Sequence, residues 1–299
     1  MNDADSLDAL FREAVAAIDS GDVAKVERLT REHPSLLRER LRSPGPWLRD
    51  KVGSAIDGFF KKPYLLWFVA EDPVRNDTLP ANIPQVAASI IDAARQANVA
   101  SLQEQLDYAL SLVAWSWVAD RCGVQLPLID VLVDAGASTD GASDNALVNG
   151  HTAAAEHLVQ RGARLTLATA LCIGRWQDVP VLADKASQRD KQFALQLAAL
   201  NGKANGLVRL LPYSVDVNAP SKDLYAHATP LHHAVSSGWL DAVRVLVEAG
   251  ADLGAKDKVH RATPLGWAEH FVSERRTYDP PRQYARIAEY LRDKADKRD

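Results

Sequence analysis

The chain has 299 residues, of which 47% are hydrophobic and 25% charged, and its net charge at pH 7 is -4. These proportions are ordinary for a folded protein in water, the charge offers no general attraction to nucleic acid or anionic lipid, and no apolar run reaches the 18 or so residues of a membrane span. The start, Met1-Asn2-Asp3-Ala4-Asp5, lacks the basic-then-apolar pattern of a secretory signal, and Cys122 and Cys172, without metal-ligand spacing, fit a reducing cytoplasm.

In chain order, the first pattern begins at Gly21, with Val26, Leu29 and Thr30 at +5, +8 and +9. Those offsets fall on one stripe of a 3.6-residue period and predict an amphipathic helix. Next come two predicted helices, Pro63 to Ala70 and Pro84 to Ala97. Between them the segment Glu71 to Asn82, with Pro73 and Pro80, reads as an inserted loop near 71–83: long insertions of this kind are usually functional or mobile, and the alternative is a loop packed on its neighbours, for which Val74 and Leu79 supply apolar side chains. Trp115 and Trp117 are two apart and cannot share a helical face, so one of them should point away from the core. After Gly123 the helix reads Leu126 to Ala135, and Gly136 stands one place later than in the sharper copies.

Those sharper copies follow. Gly150 leads Ala155, Leu158 and Val159, then Gly162-Ala163; Gly174 leads Val179, Leu182 and Ala183; Gly202 leads Leu207, Leu210 and Leu211, then Val215-Asp216. Gly238 leads Val243, Leu246 and Val247, then Gly250-Ala251-Asp252. A glycine before each run opens a tight turn, and a glycine after it suits the left-handed residue that ends a helix. Finally Thr229-Pro230-Leu231-His232-His233-Ala234 recurs 34 residues later as Thr263-Pro264-Leu265-Gly266-Trp267-Ala268. A last helix after Tyr278-Asp279-Pro280-Pro281 carries Ile287, Tyr290 and Leu291 on one side among interleaved charges, and reads as a polar cap.

The T-P-L-H-x-A box at this period resembles the ankyrin repeat, a β-turn followed by two antiparallel helices. The segments Phe59 to Ala70, Leu102 to Tyr108 and Arg121 to Gln125 are together similar to a group of bacterial ankyrin-repeat proteins. The resemblance implies an all-α solenoid of about seven or eight stacked helix-turn-helix units. Residues 1–140 would be degenerate N-terminal repeats and 141–299 clearer repeats with the C-terminal cap, forming one continuous solenoid. The pattern departs from the family in two ways. The spacings from Gly150 to Gly174 and from Gly174 to Gly202 are shorter than the usual repeat of about 33 residues, so those units have little of the projecting hairpin, or finger. His260-Arg261 stands where a finger normally carries glycine, so the turn there has changed type or is irregular.

For function, the resemblance implies a non-catalytic module that binds a partner protein through its concave face and finger loops, as a monomer in the bacterial cytoplasm. No catalytic residue, cofactor, metal, nucleic acid or membrane is expected. An immunity-like or inhibitory protein that blocks a bacterial effector or enzyme would look the same. The fingers run from Asp216 to Ala228 and from Asp252 to Ala262. The candidate contacts are Lys222, Asp223, Tyr225 and His227 on the first, and Lys258, Val259, His260 and Arg261 on the second. Ser236 and Ser237 at the end of a first helix, and Trp239 beyond it, complete the set. Histidine is the commonest metal ligand, but the resemblance gives His232 a structural part, bonded to backbone and to Thr229. Cys172, on an apolar helix, reads as a core residue and Cys122 as the more exposed one.

Overall fold

A computed structural model describes residues 3–274 and 281–297. Among them all regular structure is helical, and the chain divides into two compact units, Met1–Arg164 and Leu165–Asp299.

In the first unit the elements are α1 (Asp3–Ser20), α2 (Val23–Glu32), α3 (Ser35–Arg38), α4 (Pro46–Val52), 3-10 helices at Gly53–Asp57 and Leu65–Ala70, α5 (Ile83–Gln96), α6 (Leu102–Trp115), α7 (Trp117–Arg121), α8 (Gln125–Asp134), α9 (Ala142–Val148) and α10 (Thr152–Gln160). They stack as helix pairs. One row packs α1 on the 3-10 helix Leu65–Ala70, that on α6, and α6 on α9; the other packs α2 on α5, α5 on α8 and α8 on α10. The second unit repeats the scheme with α11 (Leu167–Ile173), α12 (Val179–Lys185), α13 (Gln188–Leu200), α14 (Ala204–Leu210), a 3-10 turn at Leu211–Tyr213, α15 (Pro230–Ser237), α16 (Leu240–Glu248), α17 (Pro264–Ser273) and α18 (Tyr284–Asp296). There α11, α13, α15 and α17 form one row, and α12, α14, α16 and α18 the other.

The glycine register holds in both units. Val26, Ala155, Val179, Leu207 and Val243, at +5, are all buried, as are Leu29, Leu158, Leu210 and Leu246 at +8. The polar exception, Thr30, is buried because its hydroxyl donates to the Val26 carbonyl at 2.9 Å and so needs no water. Leu182 is only half-buried, which fits the weaker packing of a shortened unit. In α18, Ile287 and Leu291 are buried and Tyr290 half-buried, while the break expected at Tyr278 to Pro280 lies outside the described residues.

Three local expectations are corrected. The helix expected at Pro63 to Ala70 is a 3-10 helix, Leu65–Ala70, with every side chain buried. A segment apolar on all sides shows no amphipathic period, so sequence could not fix its pitch. Both Trp115 and Trp117 are exposed rather than one, because α6 ends at Trp115 and the chain turns at buried Ser116. The Ser116 hydroxyl oxygen then accepts the Ala119 N–H at 3.0 Å and starts α7 in a new direction. Buried Gln125 donates from Nε2 to the Val113 and Ala114 carbonyls at 3.0 and 3.3 Å, satisfying the end of α6.

The inserted loop is packed, as its composition suggests: Leu79 is buried and Val74 half-buried. Its frame is ionic. Arg75 bridges Asp19 at 2.8 Å and buried Glu71 at 2.9 Å, and donates to the Phe68 carbonyl at 2.7 Å. Glu71 Oε1 also accepts the backbone N–H of Arg75 and Asp77 at 2.7 and 3.0 Å. At its far end Asn82 Nδ2 donates to the Gly21 carbonyl at 2.8 Å. A Cβ on Gly21 would lie 2.2 Å from Asn82 Oδ1, so the turn into α2 requires glycine there.

Beside this frame, burial raises the Asp72 carboxyl from 3.8 to about 6. The fold therefore prefers the protonated acid. Its stabilising contribution is complete below about pH 4 and is lost as pH rises through about 6. Asp72→Asn, which mimics the neutral acid, should raise stability at pH 7 by about 1–3 kcal/mol and change nothing near pH 4. Urea unfolding at the two pH values checks this, and an equal effect at both would contradict it.

Candidate functional site

In the second unit the fingers Asp216 to Ala228 and Asp252 to Ala262 enter α15 and α17 through their Thr-Pro boxes. Proline suits the first turn of a helix, where its missing N–H would have no intrahelical partner. Nδ1 of His232 accepts from the Thr229 hydroxyl at 2.8 Å and from the Thr229 N–H at 3.3 Å, so Nε2 carries the proton and donates to the Ala262 carbonyl at 3.0 Å. One fully buried imidazole thus fixes the start of α15 and the next finger together. The structure gives His232 the part that the resemblance implied. In the second copy Gly266 takes its place, and the helix that follows α17 is α18 rather than another finger-bearing helix.

Each finger is anchored from below by side chains that bond its backbone. On α13, Gln188, Gln192 and Gln196 stand four apart along one face. Gln188 donates to the Ser214 carbonyl and Gln192 to the Asp216 carbonyl, both at 2.8 Å, and Gln192 also to the Ala219 carbonyl. Fully buried Gln196 accepts the Ser221 N–H at 2.7 Å and donates to the Leu224 carbonyl. The second finger is held by Asp257, itself 2% exposed. Its Oδ1 accepts the N–H groups of Val259 and His260 at 2.9 and 2.7 Å; its Oδ2 accepts those of Ala262 and the Trp267 indole at 3.0 and 3.1 Å. Burial alone would raise this carboxyl, but the four donors outweigh it and hold the group far below the usual carboxylate range. The same bonds keep Arg261 at φ +54, the left-handed conformation in which glycine was expected. That strain of roughly 1 kcal/mol or more is offset by the Asp257 network.

Of the sequence candidates, Lys222, Asp223, Tyr225, Lys258, Val259, His260 and Arg261 are exposed on the fingers, and His227 is half-buried. The two fingers touch, because the Lys258 N–H donates to the His227 carbonyl at 2.8 Å. Asp223 is engaged by Arg189. Beneath them lies an aromatic floor. The Trp267 ring is 6.2 Å from His227 and 6.1 Å from His233, and Tyr225 lies 5.7 Å from His233.

The remaining candidates sit elsewhere. Ser237 is buried, donating to the Ala234 carbonyl at 2.6 Å, and Ser236 is half-buried, donating to the His233 carbonyl at 2.8 Å. Trp239 is half-buried between Gly202, where a Cβ would lie 2.3 Å from its ring, and Arg282, whose guanidinium is 5.1 Å away. All three stand at the far end of α15, about 12 Å from the fingers at 1.5 Å per residue over its 8 residues. The candidates therefore do not form one patch. Asp257, Trp267 and the glutamines were missed by the sequence reading, although the four-residue spacing of the glutamines was visible.

Residues 145–257 match the family model of ankyrin repeats, in three copies. This stretch of the chain carries ankyrin repeats. The match covers α10 to α16 and the second finger as far as Asp257. No curated protein matches the chain. Ankyrin repeats are in general protein–protein interaction modules. Among the described residues no helix is long and apolar enough to cross a membrane.

Burial pushes the buried His233 imidazole from 6.5 down to about 4, against a backbone hydrogen bond at Tyr225 that works the other way, and lowers His232 as well. The unfolded chain accepts protons that the fold refuses. Stability from these histidines is complete above about pH 6.5 and is lost as pH falls toward 4. His233 alone should account for about 3 kcal/mol of that loss. Tryptophan-monitored unfolding across this range should show the slope in the native chain and a reduced slope in His233→Leu; an unchanged slope would contradict the assignment.

Proposed function

We infer that the chain is a non-catalytic protein-binding module that holds its partner against the two fingers of its second unit and the first helices beside them. The observation that carries this reading is the contrast between the two sides of the fingers. Their backbones are tied down by Gln192, Gln196, His232 and Asp257, while Tyr225, Lys258, Val259 and Arg261 stand in solvent. Ordering such loops in advance lowers the entropy lost on association and favours affinity. Interface energy is concentrated in a few aromatic and arginine anchors, and Tyr225 and Arg261 are of that kind.

The test is affinity capture with quantitative comparison of variants. Tyr225 and Arg261 both have positive φ, at +44 and +54, so glycine at these positions keeps the backbone and removes only the side chain. The double variant Tyr225→Gly/Arg261→Gly should weaken capture by at least about 2 kcal/mol, the size of a hot-spot loss, with an unchanged circular dichroism spectrum. Trp117→Ala, in the first unit, should capture normally. The reverse result would place the binding site in the first unit.

A further inference from the structure

The fingers share a register beyond the Thr-Pro box. Seven residues before each threonine stands an exposed lysine, Lys222 or Lys256, and four before it an exposed apolar side chain, Tyr225 or Val259. The acids between them are already engaged. Asp257 is turned inward onto four donors, and Asp223 is paired with Arg189. On the second finger Lys256, Lys258 and Arg261 are exposed and make no ion pair among the described residues; against Asp252 and the inward-turned Asp257, these three cations leave the finger with a small net positive charge on a chain whose net charge is -4. The tips also present apolar area: Tyr225 is 45% and Val259 62% exposed.

We propose that the two fingers form a docking site for an extended acidic segment of a partner protein, its carboxylates on Lys222, Lys256 and Lys258 and its apolar side chains on Tyr225 and Val259. This rests on the protein-binding reading above and adds the partner's chemistry. The spacing supports an extended chain. Packed helices such as α15 and α17 lie about 8–10 Å apart, so the fingers that lead into them repeat at a similar distance. A segment extended in the polyproline II conformation rises about 3.1 Å per residue with three residues per turn, which places every third side chain on one face and over successive fingers. The attraction is between exposed charges and weakens as salt screens it.

The experiment uses the full chain and a fluorescein-labelled twelve-residue peptide with Glu at every third position and Leu and Ser between. A twin with Lys for Glu and a twelve-nucleotide oligothymidine serve as comparison probes. Fluorescence anisotropy at low salt should give a Kd below about 1 mM for the Glu peptide. It should weaken at least tenfold in Lys256→Glu/Lys258→Glu and at least threefold in Val259→Ser, and the Lys twin should not bind. Failure of the Glu peptide to bind, equal binding of the Lys twin, or tighter binding of the oligonucleotide would each overturn the proposal. The last result would identify the patch as a nucleic-acid surface. If a captured partner is retained by Lys256→Glu/Lys258→Glu but lost in Tyr225→Gly/Arg261→Gly, protein binding stands and the acidic chemistry falls. If capture and peptide binding are both absent, both readings fall.

Discussion

A loop that projects from a stack of helices has no hydrogen-bond ladder of its own, and the rest of the second unit depends on how that deficit is met. A buried backbone N–H or C=O without a partner costs on the order of 1–3 kcal/mol. Here side chains from below supply the partners: Gln192 and Gln196 for the first finger, His232 between the two, and Asp257 for the second. Because these groups look inward, the residues between them are left facing solvent. The helical repeat supplies the spacing, and the buried polar side chains supply the shape.

The same solution recurs in the first unit with different chemistry. Its long loop is organised by the Glu71–Arg75–Asp19 bridges, with Glu71 accepting backbone N–H groups much as Asp257 does. A buried ion pair is weak evidence for net stability, since desolvation offsets much of the attraction. What it does here is fix the path of the loop, which Asn82 then ties to the turn at Gly21.

How much of this was legible depended on whether the signal was periodic. The stripe at +5, +8 and +9 after each glycine is a property of helix geometry, so Leu210 and Leu246 could be placed in the core without a structure. The Thr-Pro boxes likewise marked where α15 and α17 begin. Finger shape was not legible, because it turns on individual contacts. Asp223 and Asp257 occupy the same slot, yet one meets Arg189 outside and the other meets four donors inside. Trp239 shows the same limit. Its place beyond the end of a first helix made it a candidate contact, but the ring rests on Gly202 and under Arg282, contacts that no local spacing encodes. The residues of the candidate site were thus named mostly by position in the repeat, and the structure separated those at the finger end of α15 from those at its other end.

The central claim is that Asp257 holds the second finger in a fixed shape from within. Amide hydrogen exchange at Val259, His260 and Ala262 tests it most directly, in the native chain and in Asp257→Ala. The account predicts protected amides at all three positions in the native chain. It also predicts loss of that protection in the variant, with the amides of α16 unchanged. Rapid exchange at these amides in the native chain would contradict it, as would equal protection in both.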